Sequence, residues 1–135
     1  MNMKKQIFIT ILMLLSFVAK ADDSGTCGEN LTWTYTEATK TLTVSGTGDM
    51  TNYSWINYAP WYSYGENIVK VIIDKGVRSI GDCVFYGCTG LTSIEIPNSV
   101  ISIGGTAFFN CRSLTSIEIP NSVTSVGNSA FYDCI

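Results

Sequence analysis

The sequence predicts a β-rich solenoid, a stack of short coils closed at its N-terminal end by a β-hairpin cap. Two observations carry this. From Leu91 the chain reads LTSIEIPNSVISIGGTAFFNCRS, and from Leu114 it reads LTSIEIPNSVTSVGNSAFYDCI, a near copy displaced by 23 residues. A weaker copy, Ile68 to Gly90, precedes both. Self-similarity at a fixed period of about 20–50 residues marks a solenoid. The second observation is a period of two at the start of the copy that opens at Leu91. In Leu91 to Ile96, Ile94 and Ile96 alternate with Ser93 and Glu95, which sets the isoleucines on one face of a strand and the polar pair on the other.

Taken in order, Met1 to Ala21 is an export leader rather than part of the fold. Lys4 and Lys5 form a basic start, Ile7 to Val18 an apolar run, and Ala19-Lys20-Ala21 a small-residue cleavage site. The apolar run is well short of the ~20 residues a spanning helix requires. No membrane span is therefore expected once the leader is removed, and the protein is expected to be secreted or at the cell surface. Losing Lys4, Lys5 and Lys20 from eight basic residues leaves five against eleven acidic ones, a net charge of −6. That balance, without a basic cluster, argues against nucleic acid as a partner, since phosphates must be neutralised.

Residues 22–67 are expected to form the cap. Asp22 to Gly28 is polar and reads as loose chain. Leu31 to Tyr35 and Thr41 to Ser45 alternate apolar and polar residues, and Thr36 to Lys40 joins them as a hairpin loop. Trp33, or its neighbours Leu31 and Tyr35, is expected on the core face. Asn52 to Gly65 is irregular and aromatic, with Tyr53, Trp55, Tyr58, Trp61, Tyr62 and Tyr64. Two readings compete for it. Bulky aromatics can cover the apolar end face that a solenoid exposes, and they can form a platform for a glycan or a protein. The first is favoured.

Residues 68–135 are expected to hold three repeats, 68–90, 91–113 and a truncated 114–135. Their columns are Val71/Ile94/Ile117, Ile73/Ile96/Ile119, Val77/Val100/Val123, Ile80/Ile103/Val126, Phe85/Phe108/Phe131 and Cys88/Cys111/Cys134. Pro97-Asn98 ends the strand because proline lacks the ladder's donor. Val100 to Ile103 is a second extended stretch. Gly81, Gly104 and Gly127 share one more column, expected to supply the positive φ of a turn. Thr106 to Cys111 has room for a turn or two of helix. Stacking at about 4.8 Å turns each column into a ladder. With no polar cap following Ile135, the third coil's apolar layer is expected to face water, and end-to-end self-association through it is expected.

The pattern LxxIxIPxxVxxIGxxAFxxCxx of Leu91–Ser113 resembles the 23-residue leucine-rich repeat of bacterial surface antigens, the BspA-like or Treponema-type class. The resemblance covers Ile68 to Ile135, about half the chain. The first copy departs from it at Lys70, Ile72 and Asp74-Lys75, and has no proline there. Cys27 to Trp33, Leu42 to Gly48 and Ala59 to Tyr62 resemble segments that precede such repeats. The resemblance implies a leucine-rich-repeat solenoid with a parallel sheet on its concave side and small helical or 3-10 turns. It also implies surface exposure, and adhesion to host matrix proteins in some members.

On that reading the concave partner surface is Lys70, Ile72, Ser93, Glu95, Ser116 and Glu118, and the function is non-catalytic recognition or adhesion toward an extracellular protein or glycan. The alternative is a structural N-terminal cap for a longer array that binds further along. The chain has no histidine, which removes Ser-His-Asp and Cys-His nucleophile systems. No catalytic, cofactor or metal residue is expected; Glu95 and Glu118 form a solvated acidic stripe. Cys88, Cys111 and Cys134 read as buried thiols, with ladder disulfides and a Cys83–Cys88 pair as the other options and Cys27 then unpaired. Asn30-Leu-Thr32 and Asn52-Tyr-Ser54 fit glycosylation sequons, which matter only in a eukaryotic source.

Overall fold

The structure, a computed structural model, describes residues 22–135. The leader expected over residues 1–21 lies outside them. Among the described residues nine strands follow in order: β1 (Asp23–Gly28), β2 (Leu31–Thr36), β3 (Thr41–Gly46), β4 (Gly48–Asp49), β5 (Lys70–Ile73), β6 (Val77–Ile80), β7 (Ser93–Glu95), β8 (Ser102–Ile103) and β9 (Ser125–Val126). They make two sheets, one ordered β1-β2-β3-β5-β7 and one ordered β4-β6-β8-β9.

The hairpin is where the alternation put it. Thr36 pairs with Thr41, and Leu31, Trp33, Tyr35, Leu42 and Val44 are all buried on one face. The expected loose stretch, however, is a strand. β1 pairs antiparallel with β2, from Asp23 opposite Tyr35 to Gly28 opposite Leu31. It escaped the pattern because the space under Trp33 admits no apolar side chain. A Cβ on Gly25 would stand 2.9 Å from the Trp33 indole nitrogen. Only Cys27 on this strand is a buried hydrophobe.

Stacking runs through Ile68 without a break. β3 pairs parallel with β5, with Leu42 opposite Val71 and Val44 opposite Ile73, and β4 pairs parallel with β6. Trp61 stands in the Phe85/Phe108/Phe131 column, with centroids 6.1, 5.2 and 5.3 Å apart along it. Thr41 to Val69 is therefore itself a coil. It is longer than the 23-residue repeat because a loop is inserted between Met50 and Trp61.

A third ladder closes each coil. Cys83, Phe85 and Gly87 donate backbone N–H bonds to the carbonyls of Gly105, Ala107 and Phe109, at 3.1, 2.7 and 2.9 Å. Thr106, Phe108 and Asn110 repeat this to Asn128, Ala130 and Tyr132. These segments are hydrogen-bonded turns; one turn of 3-10 helix occurs, at Tyr62–Tyr64 in the cap.

The glycine column does not supply the left-handed turn expected of it. Cys83, Thr106 and Ser129 do, at φ 55°, 52° and 57°, and so do Gly87, Asn110 and Asp133, at 73°, 64° and 62°. Gly81, Gly104 and Gly127 serve close approach instead. A Cβ on Gly81 would lie 2.5 Å from the Thr51 carbonyl oxygen, and one on Gly104 2.5 Å from the Asp82 nitrogen.

The third repeat continues the second sheet, where β9 pairs with β8, but not the first. Residues 114–119 form no strand. A third strand in register would bring Glu118 beside Glu95, and like charges directly opposite destabilise a sheet.

Candidate functional site

The outward face of the first sheet is built by the pleat. Inward positions Val71 and Ile73 are buried, which turns Lys70 and Ile72 outward, half-buried; Ser93 and Glu95 on β7 are exposed. Ile72 lies opposite Glu95 and Lys70 opposite Ser93. The Lys70 ammonium reaches diagonally to the Glu95 carboxylate at 2.9 Å. Both side chains are well exposed, so this pair contributes little to stability, of order 0–1 kcal/mol, and mainly sets local charge. Ser116 and Glu118 are exposed as well, but they are not in the ladder; with Ser93 and Glu95 they line a groove of about 470 Å³.

The face extends further than the repeat columns suggest. Across β3 and β2 it continues as Thr41, Thr43 and Ser45 beside Thr36, Thr34 and Thr32, in direct register. It is therefore a hydroxyl-rich surface reaching from cap to repeats. The alternating threonines were the signal, masked because they also suit any solvated strand.

The aromatic stretch divides between its two readings. Trp61 is fully buried and donates its indole N–H to the Val84 carbonyl at 2.9 Å. Tyr64 stacks on Tyr35 at 4.5 Å and donates its hydroxyl to Asp23 at 2.8 Å, tying the loop to β1. These residues cap the core. Trp55, Tyr58 and Tyr62 are exposed. Tyr62 begins an outer ladder with Tyr86, Phe109 and Tyr132, at spacings of 6.2, 5.5 and 5.1 Å.

The five cysteines are free thiols. Those of Cys111 and Cys134 donate to the carbonyls of Phe85 and Phe108, one coil back, at 3.2 and 3.1 Å. Burial pushes the Cys88 thiol up to about 12 and Cys27 to about 11, and raises Cys111 and Cys134 as well. Thiols held so far above neutral pH are poor nucleophiles.

A family model described as a BspA-type leucine-rich repeat region of six copies matches residues 58–135, more than half of the chain. The chain belongs to this family. The BspA-type match begins ahead of Ile68, within the coil that carries Trp61. Among solved structures, a leucine-rich repeat protein from Eubacterium ventriosum is 29% identical with a TM-score of 0.70, the alignment covering 83% of this chain and 36% of that one. A leucine-rich cell surface protein from Faecalibacterium prausnitzii shares the fold at 24% identity and a TM-score of 0.51, over 84% of this chain and 35% of that one. The chain thus spans about a third of the length of these two neighbours. Among curated proteins, nothing matches it.

Proposed function

We propose that this chain is a secreted or surface-exposed, non-catalytic recognition module that contacts an extracellular protein or glycan through the outward face of its first sheet. The observation that carries the reading is the face's continuity. One hydroxyl-bearing surface runs from Thr32, Thr34 and Thr36 through Thr41 and Thr43 to Lys70, Ile72, Ser93 and Glu95, with Ser116 and Glu118 flanking it. Export is supported by the Lys4-Lys5 start, the apolar run to Val18 and the Ala19-Lys20-Ala21 site. Residues 22–67 then act as the N-terminal cap, whose threonines extend the face, and 68–135 as the recognition repeats. The absence of histidine from the sequence supports the non-catalytic reading.

A test is solid-phase binding of the chain to a panel of extracellular-matrix proteins, alongside an Ile72→Ser/Glu95→Lys variant. The expected result is saturable binding that the variant weakens about tenfold or more. A second reading is favoured by length, since the solved neighbours are about three times longer. There the chain is a structural cap, and binding lies in further coils. A longer protein that binds while this chain does not would establish that alternative.

A further inference from the structure

The loop inserted between Met50 and Trp61 holds one large aromatic ring flat on the surface. Trp55 lies 5.1 Å from Tyr86 and 5.7 Å from Phe109, at 69° and 75°. Tyr86 and Phe109 are stacked on each other and on Tyr62 and Tyr132 to either side. Their faces are taken, so they meet Trp55 with their edges. Trp55 therefore rests one face across the ladder and turns the other outward, which accounts for its 54% exposure. Trp33 and Trp61, the other two tryptophans, are buried.

The loop is held in place. Ser54 and Asn57 exchange backbone hydrogen bonds at 2.9 and 3.2 Å, and the Tyr53 N–H donates to the Asp82 carbonyl at 2.9 Å. Beside the ring runs a shallow groove of about 380 Å³, lined by Tyr53, Ser54, Asp82, Thr106 and Asn128 among others. Asp82 is oriented from both sides. Its N–H donates to the Asn52 side-chain oxygen at 2.9 Å, and its Oδ1 accepts the Gly105 N–H at 2.8 Å, leaving Oδ2 for a ligand. No lysine or arginine lines the groove.

We infer that Trp55 and this groove form a binding site for a neutral glycan. The negative face of an aromatic ring attracts positively polarised C–H groups. A pyranose offers such groups on its flat side and hydroxyls at its rim. Asp82, Asn128, Ser54 and Thr106 supply acceptors and donors around the platform, the few fixed polar groups that orient a ligand on an apolar floor. With no cation and one carboxylate, the groove disfavours acidic sugars, acidic peptides and anionic lipid. A rigid loop loses little entropy on binding. The site shares no residue with the sheet face, so either can fail alone.

The test is isothermal titration calorimetry of the full chain, titrated with neutral cellohexaose, mannohexaose and chitohexaose, with polygalacturonate, and with phosphatidylcholine vesicles. Saturable binding of at least one neutral hexasaccharide is expected. Trp55→Ala should weaken it about tenfold or more, with the near-ultraviolet signal of buried Trp33 and Trp61 retained as the check on folding. Trp55→Phe should keep most of the affinity, and Lys75→Ala, at an exposed position outside both faces, all of it. The inference is overturned if no neutral hexasaccharide binds, if binding survives Trp55→Ala, or if Trp55-dependent binding is confined to vesicles or the polyanion.

Discussion

At Gly104 an added Cβ would stand 2.5 Å from the backbone nitrogen of Asp82 in the preceding coil, and Gly81 meets Thr51 in the same way. The obstruction is backbone, which cannot swing aside like a side-chain tip. Gly104→Ala should therefore cost about 1–3 kcal/mol, read as a lower urea midpoint. Asn110 offers the opposite case, for it holds φ 64° in the column where Gly87 holds 73°. Asn110→Gly should change the midpoint little, because glycine reaches that conformation without steric cost. Repetition made the glycine column visible in the sequence, whereas Gly87, Asn110 and Asp133 share a column without sharing a residue type. Their backbone roles were not visible, because glycine serves close approach and left-handed turns equally well, and small polar residues tolerate the latter.

Among the elements, the hairpin and the Ser93–Glu95 strand follow from period-two alternation, and Lys70–Ile73 from its register with the later copies. β1 carried no such signal, since Gly25 is small where it faces Trp33 and Cys27 is the strand's one buried hydrophobe. The third strand carried the signal without the structure. Residues 114–119 repeat Leu91 to Ile96 letter for letter, yet form no ladder with β7. A strand needs a partner edge compatible in charge as well as shape, and Glu95 already holds Lys70. Hydrogen exchange checks this. The amides of residues 115–118 should exchange faster than those of Lys70–Ile73, whose ladders are closed on both sides. Equal protection would mean that the third strand pairs in solution. Adding a cation between the two glutamates by Ser116→Lys should slow exchange there.

At the scale of the whole molecule the core is one continuous column of apolar and aromatic side chains from Cys27 to Ala130, with thiols embedded in it. Their burial couples stability to alkaline pH. Free thiols ionise near 8.5 in the unfolded chain, whereas Cys27 and Cys88 stay neutral to about 11 and about 12 when folded. Between those limits the unfolded state holds fewer protons, so stability falls as pH rises. The contribution is fully present below about pH 8 and lost progressively toward pH 12, a change on the order of a few kcal/mol. A melting temperature that declines across pH 9–11, and declines less in Cys88→Ala measured against its own neutral-pH value, would bear this out. A flat profile would show that the thiols are solvated.

The sequence by itself determined the repeat length, the repeat columns and the BspA-type family, because stacking identical coils demands the same residue type every turn. Tertiary structure alone decided that parallel pairing starts at Thr41, ahead of the first sequence copy at Ile68, that the glycine column serves close approach, and that the aromatic loop splits into a buried cap and an exposed ladder. These depend on which backbones come within a few ångströms of one another. A coil with an inserted loop keeps its place in the ladder while losing its period in the sequence. Trp61 and Trp55 sit six residues apart and read alike as letters. One is enclosed by Phe85 and the Val84 carbonyl, the other lies across the edges of Tyr86 and Phe109 with a face to the solvent.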